Sequence, residues 1–154
     1  WKRDQSDSHV DRDHGAALLI RLAGVEEVDA LWPVFADGMQ ECCRRSGGDI
    51  TPDWLFMCCR RGEALLFVID VDGLPKAALV ARPEQWGPDR VLRLIAAAGT
   101  EMDRWLGELS DHRAFIDRLG ISKVIFEGRK GWERVVPKAR VLRHVYEVDL
   151  NHGR

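Results

Sequence analysis

Apolar positions recur at helical spacing in one long stretch near the start of the chain. Between Val25 and Arg45 they return every three or four residues, as they do on one face of an amphipathic helix. These positions are Val28, Leu31, Trp32, Phe35, Met39 and Cys42. The glycines at 47–48 are typical of a helix end. Thr51 and Pro52 predict the start of a shorter second helix that ends near Arg60, because threonine suits the N-cap and proline the first helical position.

Short apolar runs around these helices predict strands. Two of the runs flank Asp72-Gly73, which is a strong signal for a tight hairpin because both residues tolerate positive φ. A loop around Trp86 leads into the next run, so the three consecutive strands form an antiparallel meander. The predicted strands in this part of the chain are 17–23, 64–71, 74–82 and 90–98.

The second half of the chain predicts a strand, helix and strand passage. The longest helix is expected at 101–119, with Trp105 on its apolar face, followed by a strand at 122–127. A short helical turn and a last strand at 141–150 complete the order β-α-α-β-β-β-α-β-α-β. Because a strand, helix and strand passage gives parallel neighbours, we predict an α/β (α+β) fold with a mixed, mostly antiparallel sheet and helices on both faces.

A polar arm precedes this pattern. Residues 1–15 contain almost nothing apolar, so they cannot bury enough surface to order themselves. We therefore predict a single domain over 16–154 and an arm over 1–15 that is held by another chain, either a different protein or a second copy.

Composition narrows the function classes. The chain has 154 residues, 45% of them hydrophobic and 31% charged, and a net charge of −2 with both signs interspersed. This balance argues against a general nucleic-acid binder, which would carry a basic face. No apolar run approaches the roughly 18 residues that a membrane helix needs, and no signal peptide opens the chain. We therefore expect a cytoplasmic protein that does not contact membranes.

The cysteines form two adjacent pairs, 42–43 and 58–59. Zinc sites usually space two thiols by two residues so that both sulfurs reach one ion, and neither pair has that spacing. A structural role in the core is therefore expected, with no metal site.

Two segments carry a resemblance to a known family. The run GISKVIFEGRKGW at 120–132 and the run AAAGTEMDRWLGEL at 96–109 are similar to GNAT-like proteins encoded by tailed bacteriophages. Together with the element order, the resemblance to the GNAT superfamily of N-acetyltransferases covers about 17–150. It implies that the fourth and fifth strands splay apart and that the pantetheine arm of acetyl-CoA lies between them.

The resemblance also implies a cofactor site at the end of the fourth strand. Backbone N–H groups at the start of the following helix would hold the pyrophosphate. Ala96 stands where the superfamily has Arg or Gln, and Glu101 stands where it has a small residue. Glu101 and Asp103 place negative charge beside the diphosphate, so we predict weak or absent acetyl-CoA binding. The implied cofactor residues are Leu94, Ala96, Gly99, Thr100 and Glu101.

Candidate catalytic and interaction residues follow from the same resemblance. The superfamily uses a carboxylate base near strand four and a tyrosine acid after strand five, which favours Glu127 as base and the single tyrosine, Tyr146, as acid. The alternatives are an ion pair for Glu127 and a sheet position for Tyr146. Arg129 is a candidate for binding an anion or a carboxylate partner, and Trp132 for an anchor over the sheet.

Three functions stay open at this point. The first is a phage-type GNAT-like protein with degenerate activity, which contacts other phage chains or copies of itself during assembly and is carried in the particle. The alternative is an acetyl-CoA-dependent N-acetyltransferase acting on an amine. The third is a regulator that binds an acyl-CoA or a host protein without turnover.

Overall fold

A five-stranded mixed sheet organises the chain. The computed structural model describes residues 18–100, 113–128, 131–136 and 138–151, and the predictions for the arm at 1–15 and for Trp105 lie outside these ranges. The strands follow one another across the sheet in the order β1-β2-β3-β4-β5. They are β1 (Leu18–Leu22), β2 (Leu65–Val71), β3 (Leu74–Trp86), β4 (Asp89–Gly99) and β5 (Lys123–Phe126). The first four pair antiparallel, and β5 pairs parallel to β4, as predicted.

Two helices follow β1. A 3-10 turn at Val25–Glu27 leads into α1 (Val28–Arg45), so the α-helix begins three residues later than the apolar pattern predicts. The second helix, α2 (Pro52–Arg60), confirms the predicted cap: the Oγ1 atom of Thr51 accepts a hydrogen bond from the N–H of Trp54 at 3.2 Å.

Two short helices lie among the described residues of the second half of the chain. They are α3 (Arg113–Arg118), which precedes β5, and α4 (Trp132–Val135), which follows it. Within the described ranges, no helix combines the length and the apolar character that crossing a membrane requires.

Both faces of the sheet are buried, but by different elements. Helices α1 and α2 pack on one face, which we call the α1 face, through Phe35, Met39 and Leu55. The opposite face carries a second apolar cluster, to which Ile116 of α3 and Trp132 of α4 add their side chains. The prediction of helices on both faces is therefore confirmed.

Close approach fixes α1 on β4. A Cβ atom added to Gly38, in the middle of α1, would lie 2.7 Å from the Cβ atom of Ala98 in β4, which is far inside ordinary contact distance. Glycine at this position therefore lets the helix lie directly on the end of β4.

Two strand predictions need correction. The predicted loop at 86–88 is a two-residue turn at Gly87-Pro88, where Gly87 has φ 59°, so β3 extends through the polar positions to Trp86 and pairs it with Asp89. The predicted strand at 141–150 is wrong. Residues 139–149 have no regular secondary structure and are almost all exposed. The alternating pattern there finds no neighbouring strand among the described residues.

Candidate active site

The parallel strands β4 and β5 stay together for only four pairs. The pairing runs from Val91 opposite Lys123 to Leu94 opposite Phe126. Beyond that point β4 continues to Gly99 against β3, whereas β5 ends. Along 95–99 the edge of β4 that faces away from β3 therefore has no strand partner among the described residues. We call the space between 95–99 and 127–128 the β4–β5 cleft.

A β-bulge marks the mouth of this cleft. Val80 pairs with Ala96 and Ala81 pairs with Leu94, so Ile95 is an extra residue on β4. Ile95 and Ala96 both contribute to the cluster under α1. A bulge bends its strand and disrupts the local ladder, and bulges are frequent beside active sites. Its place immediately after Leu94 explains why β4 turns away from β5 at this residue.

Three charged side chains meet on the α1 face beside the cleft. Arg93 lies between two carboxylates: its Nη2 atom is 3.2 Å from Oε1 of Glu127, and its Nη1 atom is 3.5 Å from Oε1 of Glu84. Glu127 follows the last residue of β5, and its side chain is 60% exposed. The ion pair that sequence reasoning gave as the alternative for Glu127 is therefore present, and the carboxylate still faces solvent.

Sequence reasoning missed Glu84 as a member of this cluster. It lies in the part of β3 that the apolar pattern assigns to a loop, and the indole N–H of Trp86 donates to its Oε2 atom at 3.0 Å. The only signal that could have placed it is Gly87-Pro88, read as a tight turn. Such a turn sets the register that brings Glu84 across from β4.

The predicted cofactor residues differ in burial: Ala96 is buried in the core, whereas Gly99 and Thr100 are exposed. Leu94 is the last residue paired to β5. The side chain of Ala96 is buried under α1, so any contact of Ala96 with a ligand would be made by its backbone. Gly99 and Thr100 lie at the exposed end of β4, where Thr100 N–H donates to the carbonyl of Lys76 at 3.1 Å. Glu101 lies outside the described residues.

The remaining candidates are not gathered at the cleft. Tyr146 is 85% exposed on the C-terminal segment, and its ring lies near that of His144, with centroids 6.4 Å apart. Trp132 packs edge-to-face on Phe126 at 6.2 Å and covers Gly128. Arg129 lies outside the described residues. Of the predicted base and acid, Glu127 thus lies beside the cleft, whereas Tyr146 is exposed to solvent on the C-terminal segment.

The cysteines lie beneath this region rather than in it. Cys43, Cys58 and Cys59 are buried in the core under α1 and α2, whereas Cys42 is half-buried. Burial raises the pKa of the Cys59 thiol to about 12. Within the described ranges no group of three histidine, cysteine, aspartate or glutamate side chains is placed to hold a metal ion.

Comparison with known proteins identifies solved structures of similar fold. No protein-family model matches the sequence, and a search of curated proteins finds no match. Solved structures do match. A ribosomal-protein-alanine N-acetyltransferase from Brucella melitensis biovar Abortus 2308 has a TM-score of 0.60 at 11% identity, over 86% of this chain and 100% of its own.

Two further structures contain a coenzyme. An aminoglycoside N-acetyltransferase in complex with CoA has a TM-score of 0.57 at 11% identity, over 90% of this chain and 98% of its own. A predicted acetyltransferase with acetyl-CoA from Clostridium acetobutylicum has a TM-score of 0.55 at 10% identity, over 87% and 97%. Identities this low show the fold alone. The mixed sheet, the parting of β4 and β5 and these neighbours agree, and the chain has the fold of the GNAT N-acetyltransferases.

Proposed function

We propose that this protein is an N-acetyltransferase that moves an acetyl group from acetyl-CoA to an amine. The observation that carries the proposal is the β4–β5 cleft, where β4 continues for five residues beyond Leu94 with one edge unpaired among the described residues. An unpaired strand edge offers backbone donors and acceptors in a row. The amide-bearing arm of acetyl-CoA can use such an edge as a strand would, so the residues present fit this group.

The cluster around Arg93 supplies the polar side chains for the reaction. When bound, acetyl-CoA supplies an acyl carbon activated as a thioester, which an amine attacks with release of the CoA thiol. The amine must first lose a proton, and Glu127 is an exposed carboxylate beside the cleft that can accept it directly or through water. Arg93 fixes the position of Glu127, and Glu84 holds the other side of Arg93.

The part of β4 that borders the cleft carries apolar side chains. Leu94 and Ala97 add to the apolar cluster on the face opposite α1, and Ile95 adds to the cluster under α1. The expected affinity for acetyl-CoA is modest, because Glu101 and Asp103 follow β4 in the sequence and oppose a diphosphate. Acidic side chains at this point weaken binding of the coenzyme without changing the place where the acyl group is presented.

Release of CoA tests the proposal directly. Purified protein is incubated with acetyl-CoA and a panel of primary amines that includes aminoglycosides and peptides with a free N-terminus, and CoA is measured by chromatography. A thiol-reactive dye is avoided because Cys42 is half-buried and would contribute signal. Amine-dependent release that depends on Glu127 supports the proposal. CoA release at the uncatalysed rate with every amine, together with no calorimetric binding of acetyl-CoA, would reject it.

The assembly role that the sequence favours stays a prediction. It rests on the polar arm at 1–15 and on the resemblance of 96–109 and 120–132 to phage-encoded proteins, whereas the structural neighbours are acetyltransferases. The observations therefore favour the transferase as the first function to test.

A further inference from the structure

A tryptophan at the end of β3 holds a cation on its ring. The guanidinium carbon of Arg143 lies 4.7 Å from the centroid of the Trp86 ring, within the range of a cation–π contact. Trp86 is half-buried and Arg143 is exposed. Among the described residues, no carboxylate or carbonyl pairs with this guanidinium. The ring therefore holds a cation that no other described group fixes in place.

The environment of Trp86 strengthens its attraction for a cation. Its indole N–H donates to Oε2 of Glu84 at 3.0 Å, and the side chain of Glu84 is 26% exposed. A hydrogen bond to an anion pushes electron density onto the ring that donates it, so the face of the ring attracts a positive charge more strongly. Glu84 also places its own negative charge beside the ring. Trp86 and Glu84 thus form a cation-binding pair, which we call the Trp86 subsite.

The Trp86 subsite is joined to the candidate base by side-chain contacts. Oε1 of Glu84 lies 3.5 Å from Nη1 of Arg93, and Nη2 of Arg93 lies 3.2 Å from Oε1 of Glu127. Three contacts, none longer than 3.5 Å, therefore separate the indole from the carboxylate of Glu127. An extended peptide advances about 3.3 Å per residue, so an acceptor of a few residues can reach both places at once.

We propose that the Trp86 subsite binds a guanidinium group of the acceptor, so that the preferred acceptor is a short peptide with a free amine and an arginine side chain. This inference rests on the proposed acetyl transfer for the role of the amine, which loses its proton to Glu127. A guanidinium fits the subsite better than an ammonium group, because it is planar, stacks on aromatic rings and is more weakly hydrated. Arg143 occupies the subsite as the arginine of an acceptor would, so the acceptor displaces Arg143 when it binds.

Binding of two matched peptides tests the subsite without any acetyl transfer. Glycyl-glycyl-arginine amide carries the guanidinium, and glycyl-glycyl-citrulline amide replaces it with a neutral urea of the same shape. The chain has six tryptophans, so the indole N–H signal of Trp86 in the NMR spectrum is assigned as the one that Trp86→Leu removes. The arginine peptide should shift this signal with a Kd about three- to fivefold lower than that of the citrulline peptide, the factor expected of a partly exposed cation–π contact.

Removal of the internal guanidinium tests whether Arg143 competes for the subsite. Arg143→Ala should lower the Kd of the arginine peptide about threefold, because a larger fraction of the protein then has an empty subsite. Arg140→Ala, which removes an exposed arginine from the same segment, is the matched control and should leave the Kd unchanged. Equal Kd values for the two peptides, a Trp86 signal that neither peptide shifts, or an Arg143→Ala variant that binds no more tightly than wild type would each overturn the proposal.

Kinetics with the same two peptides separate the subsite from the chemistry. With acetyl-CoA, the arginine peptide should have a KM about three- to fivefold lower than the citrulline peptide at a similar kcat, because the guanidinium contact is the same before and during the reaction. Trp86→Leu should make the two KM values equal, whatever it does to kcat through Glu84. A lower KM for the arginine peptide that persists in Trp86→Leu would overturn the proposal. If the arginine peptide shifts the Trp86 signal but no amine is acetylated, the guanidinium site is supported and the proposed acetyl transfer is rejected.

Discussion

Arg93 and Glu127 join the end of β5 to β4 through a hydrogen bond of 3.2 Å between Nη2 and Oε1. Arg93 immediately precedes Leu94, the last residue of β4 that pairs with β5. It therefore holds a solvent-accessible carboxylate at the mouth of the β4–β5 cleft. Glu84 contacts the same guanidinium from the other side, so Arg93 positions the carboxylate of Glu127 rather than contacting an acceptor amine.

Glu127→Gln should lower kcat for acetyl transfer by about 100-fold, because a positioned general base contributes typically 10²–10⁴-fold. Acetyl-CoA binding, measured by calorimetry, should change little, since the amide keeps the size of the side chain. Glu84→Gln should have a smaller effect on kcat, because Glu84 acts only through Arg93.

The control is Glu133→Gln, which changes an exposed acid on α4. Equal kcat values for wild type and Glu127→Gln would remove Glu127 from the chemistry. An equal loss of kcat in Glu133→Gln would show that the effect comes from removing any one negative charge and not from the carboxylate of Glu127.

Gly38→Val should lower the free energy of unfolding by about 1–3 kcal/mol, the usual cost of overpacking. The added Cβ would lie 2.7 Å from that of Ala98, so α1 or β4 has to move. Ala30→Val, at an exposed position of the same helix, should change stability by less than about 0.5 kcal/mol. Adding Ala98→Gly to Gly38→Val should recover part of the loss in urea unfolding, and strict additivity would argue against this contact.

Leu55→Ala should destabilise the fold by about 2–5 kcal/mol, because Leu55 is fully buried between α2 and the sheet. Met57→Ala, on the same helix, is the matched control: Met57 is 41% exposed, so its loss should be small. Thermal and urea unfolding of the two variants measure the difference. Similar losses for both would mean that α2 packs through another face.

Cys59 should make stability fall at alkaline pH. The pKa of its thiol is raised by burial to about 12 in the folded protein, whereas in the unfolded chain the thiol ionises near its ordinary value of 9.0. Between these values the folded state binds more protons, so the free energy of unfolding decreases as pH rises, by at most about 1.4 kcal/mol per pH unit. Urea unfolding from about pH 8 to 10.5 should show a shallower decrease in Cys59→Ala than in wild type, and parallel curves would contradict the burial of this thiol.

Local sequence signals were sufficient where neighbouring residues alone determine structure. Thr51 caps α2 as predicted, and Asp72-Gly73 forms the hairpin turn with φ values of 52° and 79°. The strand, helix and strand passage also predicted that β4 and β5 would be parallel neighbours, as they are.

The candidate site depended on contacts that no local pattern encodes. Glu84 reaches Arg93 only because β3 continues through polar residues to a tight turn, a matter of register rather than of hydrophobicity. The extra residue at Ile95, which ends the pairing of β4 with β5, leaves no mark in the apolar pattern. Tyr146 lies on a segment whose alternation predicts a strand, but alternation alone does not determine whether the segment pairs with a strand edge.

Hydrogen exchange in the presence of acetyl-CoA tests the central claim, that the β4–β5 cleft takes the coenzyme. Peptides covering 95–100 and 126–128 should exchange more slowly when acetyl-CoA is added, because the free edge of β4 gains partners there. Peptides covering β1 should be unchanged and serve as the internal reference. Unchanged exchange along 95–100 at saturating acetyl-CoA, or protection confined to another part of the sheet, would contradict the account.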